Sequence, residues 1–224
     1  MRSVQTARAL GAAVMSAVLF GLAVVQAPIV SASSCPDVEV VFARGTSSRP
    51  GIGSVGKAFV SSLKWKLLGK KVSTYAVNYP ASWNFPKSTS QGAVDANRRV
   101  QYVARVCPET KIVLGGMSQG AGVIDLILIG NRPIWFFKTA PLPDAMTKHV
   151  AAVAVFGNPA RDIFGAPLSQ LSPLYGHKTI DMCANGDPYC SNGRNLFAHF
   201  AYPINGMTNT AATFVAQRVL SRQS

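Results

Sequence analysis

Hydrophobic and polar positions fall into two alternating kinds of segment along this chain. Val38 to Ala43 is apolar except for Glu39 and is bounded by Pro36 and Gly45; a short β-branched run of this kind predicts a buried strand. Behind Gly51-Ile52-Gly53-Ser54, the residues Val55, Phe59, Leu63 and Leu67 recur at helical spacing. Val72 to Val77 predicts the next strand, which ends at Asn78-Tyr79-Pro80. A loop with Pro80 and Pro86 leads to Ser88–Gln91. Ala93, Ala96, Val100, Val103 and Val106 then mark an amphipathic helix running to about Cys107, with Pro108 as its stop. Lys111 to Leu114 predicts a third strand, Gln119 to about Ile129 a helix, Val150 to Phe156 and Lys178 to Met182 two further strands, and Thr208 to Arg222 a closing helix. Strands alternating with helices predict an α/β fold in which a parallel sheet is covered on both faces. Right-handed crossovers limit this to a doubly wound, three-layer sandwich without a second domain.

The first 32 residues do not follow that rhythm. Arg2 and Arg8 precede an uncharged, mostly apolar stretch from Ala9 to Val30, and Val30-Ser31-Ala32 offers small residues to a signal peptidase. This predicts a secretory signal over residues 1–32 and a mature domain over 33–224. An uncleaved anchor is the competing reading, because the stretch is nearly long enough to span a bilayer.

Charge narrows the partners. The chain carries 22 Lys+Arg against 9 Asp+Glu, and without Arg2 and Arg8 the balance is 20 − 9 = +11. The basic residues come in short pairs, Lys70-Lys71 and Arg98-Arg99, not in a dense patch interleaved with aromatics, which argues against nucleic acid. They suit loose association with an anionic envelope or membrane surface. All four cysteines follow the predicted cleavage point and fit an oxidising compartment, so the expected location is secreted, extracellular or cell-wall associated. Four cysteines allow three pairings. Cys183 and Cys190 are spaced to staple one tight loop around Gly186-Asp187-Pro188, which would leave Cys35 and Cys107 to close a long one. A zinc site is disfavoured, since there is no Cys-x-x-Cys pair and no His near a Cys cluster.

Candidate chemistry sits at Gly116-Met117-Ser118-Gln119-Gly120, a Gly-x-Ser-x-Gly sequence between an apolar strand and an apolar helix. That strand–turn–helix setting is what a nucleophile elbow requires. A serine hydroxyl needs an imidazole to take its proton, and the chain has three: His149, His177 and His199. In this arrangement the acid and then the base follow the nucleophile, which favours Asp187 in the stapled loop and His199 twelve residues later. His149 stands beside Lys148, and His177 precedes Asp187 and breaks the order. Oxyanion donors are expected from the amide of Gln119, after the serine, and from the loop Ala43-Arg44-Gly45-Thr46-Ser47-Ser48.

These residues resemble the cutinase family, including its actinobacterial cutinase-like serine esterases, over nearly all of 35–220. The resemblance runs through Val41-Phe42-Ala43-Arg44-Gly45-Thr46, Tyr75-Ala76-Val77-Asn78-Tyr79-Pro80, Ile112 to Gly120, Val155-Phe156-Gly157-Asn158-Pro159, Cys183 to Cys190, and Ala198-His199. It implies a small α/β-hydrolase with a central five-stranded parallel sheet and no full lid. It also implies a catalytic set of Ser118, Asp187 and His199, an oxyanion hole from the Thr46 and Gln119 amides, and disulfides Cys35–Cys107 and Cys183–Cys190. The loops carrying Trp83 and Phe85, and Leu196 and Phe197, are implied to flank the serine as an acyl groove.

Two features depart from the family pattern. Met117 replaces the usual Tyr, and Asn131 to Asp144 inserts Arg132-Pro133-Ile134-Trp135-Phe136-Phe137-Lys138, whose aromatics either line the groove, meet a lipid surface or pack on the domain. The expected activity is hydrolysis of short to medium acyl esters, cutin-like polyesters or lipids through an acyl-enzyme, by a monomer that needs no metal or cofactor. The rivals are a phospholipase or lipase acting at an envelope or host lipid surface, and a secreted envelope-binding protein without catalysis.

Overall fold

The computed structural model describes residues 35–221 except 132, 133 and 135. The predicted signal segment, Arg132, Pro133, Trp135 and Arg222 lie outside the described residues. Five strands, β1 (Val38–Ala43), β2 (Val72–Ala76), β3 (Lys111–Met117), β4 (Val150–Phe156) and β5 (Thr179–Met182), form one parallel sheet in the order β2-β1-β3-β4-β5. The longer helices are α1 (Gly53–Lys66), α2 (Phe85–Val106), α3 (Gln119–Leu128) and α7 (Met207–Leu220). Three short ones, α4 (Ala160–Phe164), α5 (Leu168–Leu171) and α6 (Leu196–Phe200), have too few turns to display a periodic stripe in the sequence.

Burial on both faces explains why β1 and β4 read as unbroken apolar runs. Along β1, Val40 and Phe42 face a core shared with Phe59 of α1 and Val215 of α7. Val41 and Ala43 face the opposite core, with Val100 of α2 and Ile124 of α3. Glu39, the polar exception in that strand, is buried but meets the Arg99 guanidinium in a two-pronged ion pair of 2.6 and 2.7 Å. Two boundaries differ from the expectation. β3 continues past Leu114 through Gly115 and Gly116, because their backbones still pair with β1 and β4. α2 begins at Phe85, eight residues before the apolar stripe that starts at Ala93, with Asn84 capping the Lys87 N–H and Pro86 in the first turn, where it lacks no bond a helix would make.

All strands are parallel, so every β-to-α connection emerges at one edge of the sheet, where sites of this architecture form. β1, β3 and β4 deliver the 44–48 loop, Ser118 and Gly157 to that edge.

Candidate active site

At the end of β3 the chain turns into α3 through Ser118, whose φ of 54° and ψ of −120° are unusual for a residue with a Cβ. The neighbouring glycines permit the turn: a Cβ on Gly116 would lie 2.2 Å from Gly120 O, and one on Gly120 would lie 2.1 Å from Ala43 O. The non-glycine residues with positive φ among those described are Ser47, Ala81 and Ser118. Their loops meet, since the Ser47 N–H donates to Ala81 O at 2.7 Å and Gly45 packs on Ser118. Strained backbone is concentrated here.

His199, on α6, is buried and directs Nδ1 at both carboxylate oxygens of Asp187, at 2.9 and 3.0 Å. Asp187 is fully buried. Its Oδ1 accepts the Tyr189 N–H at 2.9 Å, and its Oδ2 accepts the Tyr202 hydroxyl at 2.7 Å. Burial pushes this carboxyl up, but the hydrogen bonds from His199, Tyr202 and the Tyr189 N–H outweigh burial and hold it below the ordinary carboxylate value. Its loop is closed by the Cys183–Cys190 disulfide, and Cys35–Cys107 forms the second. Both thiol pairs are therefore unavailable to a metal, and the disulfides suit an oxidising compartment.

Ser118 and His199 line one cleft of about 630 Å³, together with Thr46 and Gln119. Among the described residues neither the Thr46 N–H nor the Gln119 N–H has a hydrogen-bond partner, so both are free to serve an oxyanion at the N-terminus of α3. The other histidines are elsewhere. His149 immediately precedes β4 and His177 precedes β5, which puts both at the opposite edge of a parallel sheet.

Trp83 and Phe85 line the cleft and meet edge to face at 5.8 Å. Leu196 and Phe197 do not line it. On the single turn of α6 that turns Ala198 and His199 inward, Phe197 points outward at 85% exposure, and Phe200 supplies the apolar wall instead. The aromatic insertion divides: Phe137 lines the cleft and packs against the core, while Phe136 is exposed.

Three contributions were not legible in the sequence: the side chains of Tyr202 and Arg44, and the second role that Gln119 plays through its side chain. Tyr202 reaches Asp187 from fifteen positions further along the chain, and only the tertiary structure brings it there; its hydroxyl also accepts the Ala184 N–H at 2.9 Å. The buried Arg44 donates to the carbonyls of Ser48 (2.9 Å) and Tyr79 (2.7 Å), while the Tyr79 hydroxyl donates back to Arg44 O, so this pair shapes the 44–48 loop. Gln119 ties the elbow to the Trp83 loop through its side chain: Nε2 donates to Ser82 O at 2.8 Å, and Oε1 accepts from Ser88 Oγ at 3.3 Å.

A family model described as Cutinase matches residues 34–219. The chain belongs to the cutinase family. It is 50% identical over 189 residues to "Phospholipase Culp4" of Mycobacterium tuberculosis, covering 84% of this chain and 81% of that one. It is 45% identical over 207 residues to "Carboxylesterase Culp1" of Mycobacterium bovis, covering 88% and 90%. Among solved structures, a Trichoderma reesei cutinase with a phosphonate inhibitor superposes with a TM-score of 0.69 at 32% identity, over 84% of this chain and 78% of that one. An acetyl xylan esterase superposes with a TM-score of 0.72 at 28% identity, over 83% and 100%. This family member is a serine hydrolase of carboxylic esters with an α/β-hydrolase-like fold, acting on an ester or lipid substrate. The alternative of a binding protein without catalysis is not favoured.

Proposed function

We propose that Ser118 is the nucleophile, His199 the general base and Asp187 the acid that orients it, with the Thr46 and Gln119 amides as the oxyanion hole. The observation that carries this reading is that His199, held by the buried Asp187, lines the same cleft as Ser118. With Nδ1 held by the carboxylate, Nε2 is the ring nitrogen left to take the serine proton. Ser118 attacks the ester carbonyl as His199 removes its proton, and the oxyanion forms against the two N–H groups. His199 then gives the proton to the leaving alcohol, and water repeats the sequence to free the acid.

Short to medium acyl esters are the favoured substrates, because the cleft has apolar walls from Trp83, Phe85, Phe137 and Phe200 and a volume of about 630 Å³. A phospholipid is the second reading, supported by the relative named a phospholipase and by exposed Trp83 and Phe200 at the rim. A secreted monomer, released by cleavage after residue 32, completes the proposal, and the disulfides support the secreted location. Ser118→Ala should lower turnover of p-nitrophenyl butyrate by at least about 1000-fold with the circular dichroism spectrum unchanged. Turnover within tenfold of the wild type would remove Ser118 from the mechanism. A series of monomeric esters of increasing chain length, run beside emulsified lipid and phospholipid vesicles, separates the two substrate readings.

A further inference from the structure

Beside the cleft lies a second groove of about 980 Å³ that ester hydrolysis leaves unused. The two share a wall. The first turns of α2 give Phe85 and Thr89 to the cleft and Lys87 and Ser90 to the groove; the strap at 136–138 gives Phe137 to the cleft and Phe136 and Lys138 to the groove. The Lys138 N–H donates to Ser90 Oγ at 2.9 Å and fixes the strap to the helix.

One side of the groove is a single stripe of α2. Lys87, Gln91, Val94 and Arg98 follow at steps of four, three and four, so they share a helix face. Lys138 approaches from the strap. Lys87, Arg98 and Lys138 are exposed, and among the described residues none has an ion-pair partner. Asp95, the carboxylate in the lining, is already engaged by the Tyr75 hydroxyl at 3.1 Å to each oxygen and by the Asn78 N–H at 2.8 Å. Three cations against the one carboxylate of Asp95 leave the lining with a net charge of 3 − 1 = +2, and an anionic occupant offsets it. The apolar surface of Val94 and Phe136 beside them fits an amphiphile better than a free ion.

We propose that this groove holds the phosphate headgroup of an anionic phospholipid and so keeps a lipid surface against the mouth of the cleft. Arg98 offers a fork matched to two phosphate oxygens, and Lys87 and Lys138 add point charges. Phe136, 78% exposed, enters the boundary between headgroups and acyl chains. The inference deepens the ester-hydrolase reading, but vesicle binding does not depend on turnover.

Sedimentation with vesicles tests it in the Ser118→Ala background, comparing pure phosphatidylcholine with vesicles containing roughly one-third phosphatidylglycerol. Substituting Lys87→Gln, Arg98→Gln and Lys138→Gln together should weaken binding to the anionic vesicles by about tenfold or more. Substituting Lys57→Gln, Lys64→Gln and Lys66→Gln on α1, across the sheet, removes the same charge and should weaken it by less than about twofold. Equal losses from the two triple variants would show that net charge alone drives binding and would overturn the proposal. So would release of the protein from vesicles by roughly millimolar inorganic phosphate at constant ionic strength, which would mark a site for the free ion. With Ser118 restored, the groove variant should hydrolyse p-nitrophenyl butyrate at the wild-type rate, and a parallel loss there would count against a groove separate from the cleft. Failure of the esterase reading shows differently, as no turnover by the wild-type protein.

Discussion

Tyr202 spends its hydroxyl twice, donating to Asp187 and accepting from the Ala184 N–H, and it is fully buried against Phe156. Burial raises its pKa, so it remains a neutral donor to the carboxylate. Tyr202→Phe removes one of the bonds that keep Asp187 ionised. Hydrogen bonds to charged groups contribute ~1.5–3 kcal/mol, so kcat should fall about tenfold with KM little changed. Because Asp187 is held low, its stabilisation is present above the unfolded carboxylate pKa and is lost as pH falls through the folded value. The variant should therefore lose stability at a higher pH than the wild type on acid titration; coincident acid transitions would count against the role. Asp125 behaves oppositely. It is buried in α3, accepts from Asn158 Nδ2 at 3.1 Å, and is raised well above the usual range by burial and then by the charge of Asp181. The folded state thus keeps a proton that the unfolded chain releases near pH ~4, and stability falls as pH rises from there, by ~1.4 kcal/mol per unit up to the folded pKa. Asp125→Asn lacks that dependence. Its melting temperature relative to wild type should climb as pH rises above about 4, as calorimetry would show, and a constant difference would sink the assignment.

The elements that matter most are the strand ends. β4 ends against Gly157, whose φ is +55° and where a Cβ would lie 2.9 Å from both Cε1 and Nδ1 of His199 and 3.0 Å from Asp187 Oδ2. No side chain fits between that backbone and the imidazole. Gly157→Ala should displace the ring and lower kcat about 100-fold while the protein still folds; an unchanged kcat on p-nitrophenyl butyrate would show that the ring has room to move. The strands themselves were legible because burial on both faces writes them as apolar runs, and Ser118 was legible because its turn demands small neighbours on both sides. The short helices α4 to α6 were not, since one turn carries no period. Phe200 was missed as a groove residue for that reason: which side of α6 faces the cleft depends on how His199 docks on Asp187.

Across the whole molecule the two disulfides have separate tasks. Cys35–Cys107 joins residues 72 apart, and closing a loop of that size is worth about 4 kcal/mol in chain entropy, against about 2 kcal/mol for the seven-residue Cys183–Cys190 loop. Replacing Cys35 and Cys107 by Ser should therefore cost more global stability and little activity. Replacing Cys183 and Cys190 by Ser should cost less stability and more kcat, because Asp187 sits inside the smaller loop. Chemical denaturation and ester kinetics on the two double variants check this, and the reverse ranking in activity would separate the small loop from the chemistry.

Local sequence determined what depends on neighbours along the chain: the strands and long helices from their apolar periods, the sharp turn at Ser118 from its flanking glycines, and the order of serine, aspartate and histidine from the motifs. Only the tertiary structure decided what depends on residues far apart in sequence. It set Tyr202 on Asp187, matched Arg99 to the buried Glu39, turned Phe200 rather than Phe197 to the cleft, and brought the cations of α2 and the strap around one groove. The physical reason is that a hydrogen bond, an ion pair or a shared cavity is fixed by distances in space, and helical or strand periodicity records only which face a residue occupies.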